Sequence, residues 1–114
     1  MSISPQDLGR VALVKEYTAA LRTADETCRR LGYYPARFEQ MLQHDAEANL
    51  KLAKALITSG KVHDGLKRLA KMGHLELSLE RISLEERFRP LFTPDEVAAT
   101  EWRLEQVQPS RGHA

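Results

Sequence analysis

Ala46-Glu47-Ala48-Asn49-Leu50-Lys51-Leu52-Ala53-Lys54-Ala55-Leu56-Ile57-Thr58-Ser59, closed by Gly60, decides the fold class. At helical period Ala46, Leu50, Ala53 and Ile57 form one apolar stripe, and Leu52 and Leu56 form the next. The polar stripe of Glu47, Lys51, Lys54 and Thr58 is narrow. A helix that is apolar over most of its circumference belongs in the middle of a core. Asp45 is a good N-cap for it and Gly60 a natural stop. The expectation is therefore a central helix with the rest of the chain packed about it.

Upstream, Ser4 can cap a first helix, Pro5 suits its first position and Asp7 favours the positive end of its dipole. Gly32 ends it. Val14, Tyr17, Leu21, Ala24, Cys28 and Leu31 recur at alternating spacings of three and four, which is a short heptad seam. At 1.5 Å per residue such a helix spans ~40 Å, about the width of a domain of this length. The expectation is that it overhangs its own core and self-associates through Val14, Tyr17, Leu21, Ala24 and Leu31. Pro35 can open a short second helix carrying Phe38, Met41 and Leu42.

Downstream, a fourth helix is expected from about Val62 to Met72, stopped by Gly73, with Val62, Leu66, Leu69 and Ala70 inward. Leu75-Glu76-Leu77 alternates like a strand but has no partner strand, so it reads as an extended turn. Ser78 then caps a short fifth helix carrying Leu79 and Ile82. Thr93-Pro94-Asp95-Glu96 is a capping box: Thr93 caps, Pro94 sits first in the helix, and Glu96 reaches back. Phe92 and Val97 flank it as a hydrophobic staple. Val97, Thr100, Leu104 and Val107 form the inner face of this last helix, and Pro109 ends it. The architecture expected is all-α: a single compact domain of five to six helices over residues 1–108, with a long N-terminal helix and a disordered tail over 109–114.

The chain has 114 residues, 42% hydrophobic and 29% charged, within the range of one ordinary globular domain. No apolar run approaches the ~18 residues of a membrane helix. No basic patch followed by an apolar block marks a signal peptide at the N-terminus. Cys28 is the only cysteine, which rules out an intramolecular disulfide and fits a reducing, cytoplasmic compartment. The net charge is +1, but it is unevenly spread: residues 51–74 hold six cations against Asp64 alone, whereas residues 75–114 hold eight acids against five arginines.

Two His-Asp pairs, His44-Asp45 and His63-Asp64, invite a chemical reading. All-helical metal phosphohydrolases hold divalent ions with a histidine, a His-Asp pair and a distant aspartate, because imidazole and carboxylate bind metals that activate water. His44, His63, Asp64 and Asp95 would be that set. The reading adopted instead is capping: Asp45 and Asp64 fall at predicted helix starts, and Asp95 belongs to a capping box. No metal or other cofactor is expected. Cys28 lies on the seam, with no histidine near it in sequence, and reads as a buried thiol rather than a nucleophile. No phosphate-binding glycine loop and no serine elbow is present.

Lys61, Lys67, Arg68 and Lys71 make a basic face, and the run Gly60–Gly73 resembles the recognition helix of a winged helix-turn-helix. The face lacks the Asn, Gln, Ser and Thr that read bases, and no basic wing follows. Trp102 sits off the inner stripe of the last helix, one turn from Ala98; it reads first as core rim and, if exposed, as a candidate interface anchor.

From Tyr17 to Leu104 the chain resembles a family of small bacterial helical proteins of unknown function. The matching elements are Gly32-Tyr33, Arg37-Phe38, Gln40-Met41, Ala53-Lys54, Leu56-Ile57, Asp64-Gly65-Leu66 and Leu69. They continue with Gly73, Leu75-Glu76-Leu77-Ser78, Glu80, Phe88, Leu91-Phe92-Thr93, Glu96 and Arg103-Leu104. The chain departs from that pattern at Ala46-Glu47, where the family often has two glycines, and at Ala70, where it often has tryptophan. The resemblance implies the helical fold and carries no activity, ligand or catalytic residue. The expected function is a non-enzymatic helical module that binds another macromolecule, foremost a protein. A homodimer through the N-terminal helix is expected too, and an accessory nucleic-acid binder using residues 51–74 is the alternative.

Overall fold

Tyr17 shows how the chain folds. Its ring meets Phe88 edge-on at 5.1 Å and Phe92 at 5.6 Å, and its hydroxyl hydrogen-bonds Ser83 Oγ at 2.6 Å. A residue near the start of the chain thus gathers three that lie more than sixty positions away. The computed structural model describes residues 5–107. The cap expected at Ser4, the side chain of Asp7 and the tail 109–114 lie outside the described residues.

Among the described residues six α-helices follow one another: α1 (Pro5–Arg30), α2 (Ala36–Met41), α3 (Ala46–Ile57), α4 (Asp64–Met72), α5 (Leu79–Ser83) and α6 (Pro94–Val107). Two 3₁₀ segments, Leu75–Leu77 and Glu86–Leu91, flank α5. Among the described residues there is no strand. The stretch read as an extended turn, Leu75 to Leu77, is instead a 3₁₀ turn, with Leu77 N–H donating to the His74 carbonyl and Ser78 N–H to Leu75. Tight i→i+3 bonding satisfies the backbone without a neighbouring strand.

The seam of α1 needs correcting. Val14, Tyr17, Leu21, Ala24 and Cys28 are all 4% exposed or less. The first four form the spine of the chain's own core, with Leu50 and Ala53 of α3, Ile82 of α5, and Phe88 and Leu91 beyond it. Four of the five residues assigned to self-association are therefore occupied within one chain. Only Leu31, past the end of the helix, is open to solvent. Heptad spacing says that an apolar stripe must be covered but does not say by which chain.

The role of α3 shifts in the same way. Its inner stripe is as expected, with Leu50, Ala53 and Ile57 buried, but Leu52 is 40% exposed and Leu56 is only half-buried. The all-round apolar pattern overstated its burial, and α1 is the central element.

The caps hold. Asp45 accepts from Ala48 N–H at 2.9 Å, and Ser78 Oγ accepts from Arg81 N–H at 3.0 Å. At α6 the box is reciprocal: Thr93 N–H donates to Glu96 Oε1 at 2.8 Å and Glu96 N–H to Thr93 Oγ1 at 3.2 Å. Asp64 is a correction. The N-cap of α4 is His63, whose side chain makes no capping bond, and Asp64 is the first helical residue. A carboxylate there still favours the helix dipole. Gly73 closes α4 at φ 75°, a left-handed conformation that costs glycine nothing.

Candidate interaction face

Burial of Leu66 and Leu69 fixes the roll of α4. Helical spacing then turns Lys67, Arg68 and Lys71 outward, and all three are exposed, as is Lys61 just before the helix. The expected basic face is thus assembled as read from the sequence. Among the described residues none of these four cations has a carboxylate within 4.0 Å. Lys67, Arg68 and Lys71 border one shallow groove with Tyr33, Asp64 and Gly65. The Arg68 guanidinium lies 5.7 Å from the centre of the Tyr33 ring, a cation–π contact that holds this cation in place. Gly65 lets α4 come close to the α1–α2 connection, because a Cβ there would stand 3.3 Å from Tyr33 Oη.

Sequence reading missed what lies on the other side of Gly65. A cleft of about 430 Å³ opens between the end of α1, α2 and α4, sharing Tyr33, Asp64 and Gly65 with the basic groove. Its wall is mainly apolar, with Phe38, Leu56, Val62, Leu66, Leu69 and Leu77 on it. Val62, expected inside α4, precedes the helix and lines this cleft instead. Lys61 and Arg37 stand on its rim, both exposed. The volume is within the ~300–1,000 Å³ usual for ligand-sized pockets. The Cys28 thiol borders the cleft. Burial, with the nearby Asp25, Glu39 and Glu76 carboxylates, pushes its pKa up, which keeps it a thiol rather than a nucleophilic thiolate.

Behind the cleft sits an ion pair that the apolar pattern gave no sign of. Arg103 is wholly buried and Glu80 nearly so. Arg103 Nε donates to Glu80 Oε2 at 2.9 Å, and one of its terminal nitrogens donates to the Lys61 carbonyl. One side chain thereby ties α6 to α5 and to the loop that presents Lys61. Periodicity placed Arg103 next to the inner stripe but, counting apolar residues only, passed over it.

His63 borders the cleft with Asp64, whereas His44 lies exposed in the α2–α3 loop. Among the described residues no three of His, Cys, Asp and Glu converge as a metal-binding group. Asp95 is exposed near the start of α6. Trp102, read first as core rim, is instead 45% exposed on the outer side of α6, the condition that makes it a candidate interface anchor. Among the described residues no helix is long and apolar enough to cross a membrane.

These features define an all-helical protein with a basic helix face running beside an apolar cleft. No family model, curated protein or solved structure matches the chain.

Proposed function

We propose that the protein is a non-enzymatic binding module of the cytoplasm, and that α4 with its cleft is the surface that receives a protein partner. One observation carries this reading: four cations without carboxylate partners among the described residues adjoin an apolar cleft of about 430 Å³. A partner segment that is both acidic and apolar meets both halves of the surface. The apolar groups supply affinity through burial, and the charges supply attraction at a distance and orientation. A nucleic-acid backbone would use the cations and leave the cleft unfilled, so a protein is the better match. Kinship with the small bacterial helical family is part of the same proposal and rests on the sequence pattern from Gly32-Tyr33 to Arg103-Leu104 alone.

The test is affinity capture from the native host with mass spectrometry, run with and without nuclease. The parent is compared with a Lys67→Glu, Arg68→Glu, Lys71→Glu variant. A protein captured by the parent in both conditions and lost by the variant supports the proposal. Capture that nuclease abolishes would transfer the face to nucleic acid, and capture unchanged by the variant would remove the face from the argument.

A further inference from the structure

Trp102 is the only tryptophan in the chain. It lies across the helix from the buried Thr100 and Leu104, since residues two apart on a helix diverge by about 200°. Its own cleft is out of reach, because no residue of α6 lines it. Asp95, Ala98, Glu101, Trp102 and Glu105 are all exposed, and helical spacing puts them on one face. Among the described residues none of these three carboxylates has a cation within 4.0 Å. The outer face of α6 is therefore an exposed indole framed by unpaired carboxylates. An amphipathic helix face of that kind is a standard ligand for an apolar groove, and tryptophan is the residue most enriched among interface anchors.

The α4 surface is its complement in both respects. It offers cations where α6 offers anions, each without an ion-pair partner among the described residues, and an apolar cleft where α6 offers an exposed aromatic ring. We infer that two copies of this chain associate through these surfaces. Trp102 of one copy enters the cleft of the other, and Asp95, Glu101 and Glu105 face the second copy's Lys61, Lys67, Arg68 and Lys71. The contact joins two different surfaces, so it is isologous only when made reciprocally and heterologous when made once. Two such contacts across a twofold axis close a dimer, and a single one repeats head to tail. One face of a helix buries less than the ~800 Å² per partner of a standard stable interface, so the association is weak and concentration-dependent. The inference rests on the α4 surface proposed above as the partner site, and a second copy and an acidic partner would compete for it.

Sedimentation velocity from micromolar to near-millimolar concentration at low salt tests it, with Trp102 fluorescence read on the same samples. The mass average is expected to rise with concentration. The emission maximum should move to shorter wavelength as the indole leaves water, and both changes should reverse near ~0.5 M salt, where screening shortens to a few ångströms. Trp102→Ala alone should remain monomeric, and so should the Lys67→Glu, Arg68→Glu, Lys71→Glu variant. Mixing the two should restore association, because one retains the cleft and the other the indole. All these side chains are exposed, and unchanged far-ultraviolet circular dichroism would confirm that each variant folds. A monomer throughout with constant emission overturns the inference, as does association that survives Trp102→Ala. If the chain stays monomeric while partner capture still depends on Lys67, Arg68 and Lys71, this inference fails and the partner site stands. If association behaves as expected but capture ignores the triple variant, the reverse holds.

Discussion

Arg103 and Glu80 are the residues whose placement was hardest to foresee and whose removal should be felt most. A buried charge is tolerated only when it is paired and hydrogen-bonded, and here the guanidinium meets both a carboxylate and the Lys61 carbonyl. Taking away one partner strands the other. Glu80→Ala is expected to cost ~3–5 kcal/mol in urea unfolding, the usual range for a broken buried pair. A Glu80→Leu, Arg103→Met double variant should recover much of that loss, since an apolar replacement of a whole pair is often neutral. A loss under ~0.5 kcal/mol in Glu80→Ala, the level of an ordinary surface change, would show that the pair contributes nothing. Because the same arginine holds the Lys61 carbonyl, the double variant also tests whether the rim of the cleft depends on it. Partner capture should weaken in that variant even where stability is restored.

Helices α3 and α6 separate what local pattern can decide from what it cannot. Capping is a property of a few consecutive residues, so Thr93 and Glu96 were legible in full. Which side of α3 faces the core depends on elements distant in sequence, so Leu52 and Leu56 were misplaced although Leu50, Ala53 and Ile57 were not. The heptad seam of α1 was legible as an apolar stripe, but its partner was not, because burial against Phe88 and Leu91 is set by tertiary folding. The exposure of the basic residues followed from helical period on α4 alone, whereas the cleft needs α1 to α5 to converge. Three outcomes follow for these helices. Leu50→Ala, with 2% exposure, is expected to cost ~2–5 kcal/mol, and the half-buried Leu56→Ala clearly less; the reverse order in denaturant unfolding would restore Leu56 to the centre. Thr93→Ala should cost ~1 kcal/mol. Burial alone would raise the Glu96 carboxyl, but its bonds with Thr93 and Lys54 prevail and hold its pKa below the ordinary value. A carboxyl lowered on folding contributes stability above its unfolded pKa and loses it as pH falls through the folded one. Stability should therefore drop on acidification through and below the ordinary carboxylate range, and Glu96→Gln should flatten that part of the profile. An unchanged acid limb in Glu96→Gln would assign the loss to other groups.

The molecule as a whole is organised by α1, and this decides how it should respond to a charge placed in the seam. Helices α3 and α5 and the segment Glu86–Leu91 all rest on the α1 spine, and Tyr17 alone touches Ser83, Phe88 and Phe92. The main core cluster is built on this helix, so the domain should unfold in a single cooperative transition, as small single domains usually do. If the seam were an interface between chains, Leu21→Glu would dissociate a dimer and leave folded monomers. With Leu21 wholly buried in its own chain, the same substitution instead puts an unpaired carboxylate into the core. Desolvation of such a charge costs several kcal/mol, a large part of the ~5–15 kcal/mol that holds a typical domain together. Leu21→Glu is thus expected to abolish the cooperative melt and most of the helical circular dichroism at any protein concentration. Val11→Glu, on the exposed side of the same helix, should change neither. A Leu21→Glu chain that keeps its helical signal and melts cooperatively as a smaller species would return the seam to an intermolecular role.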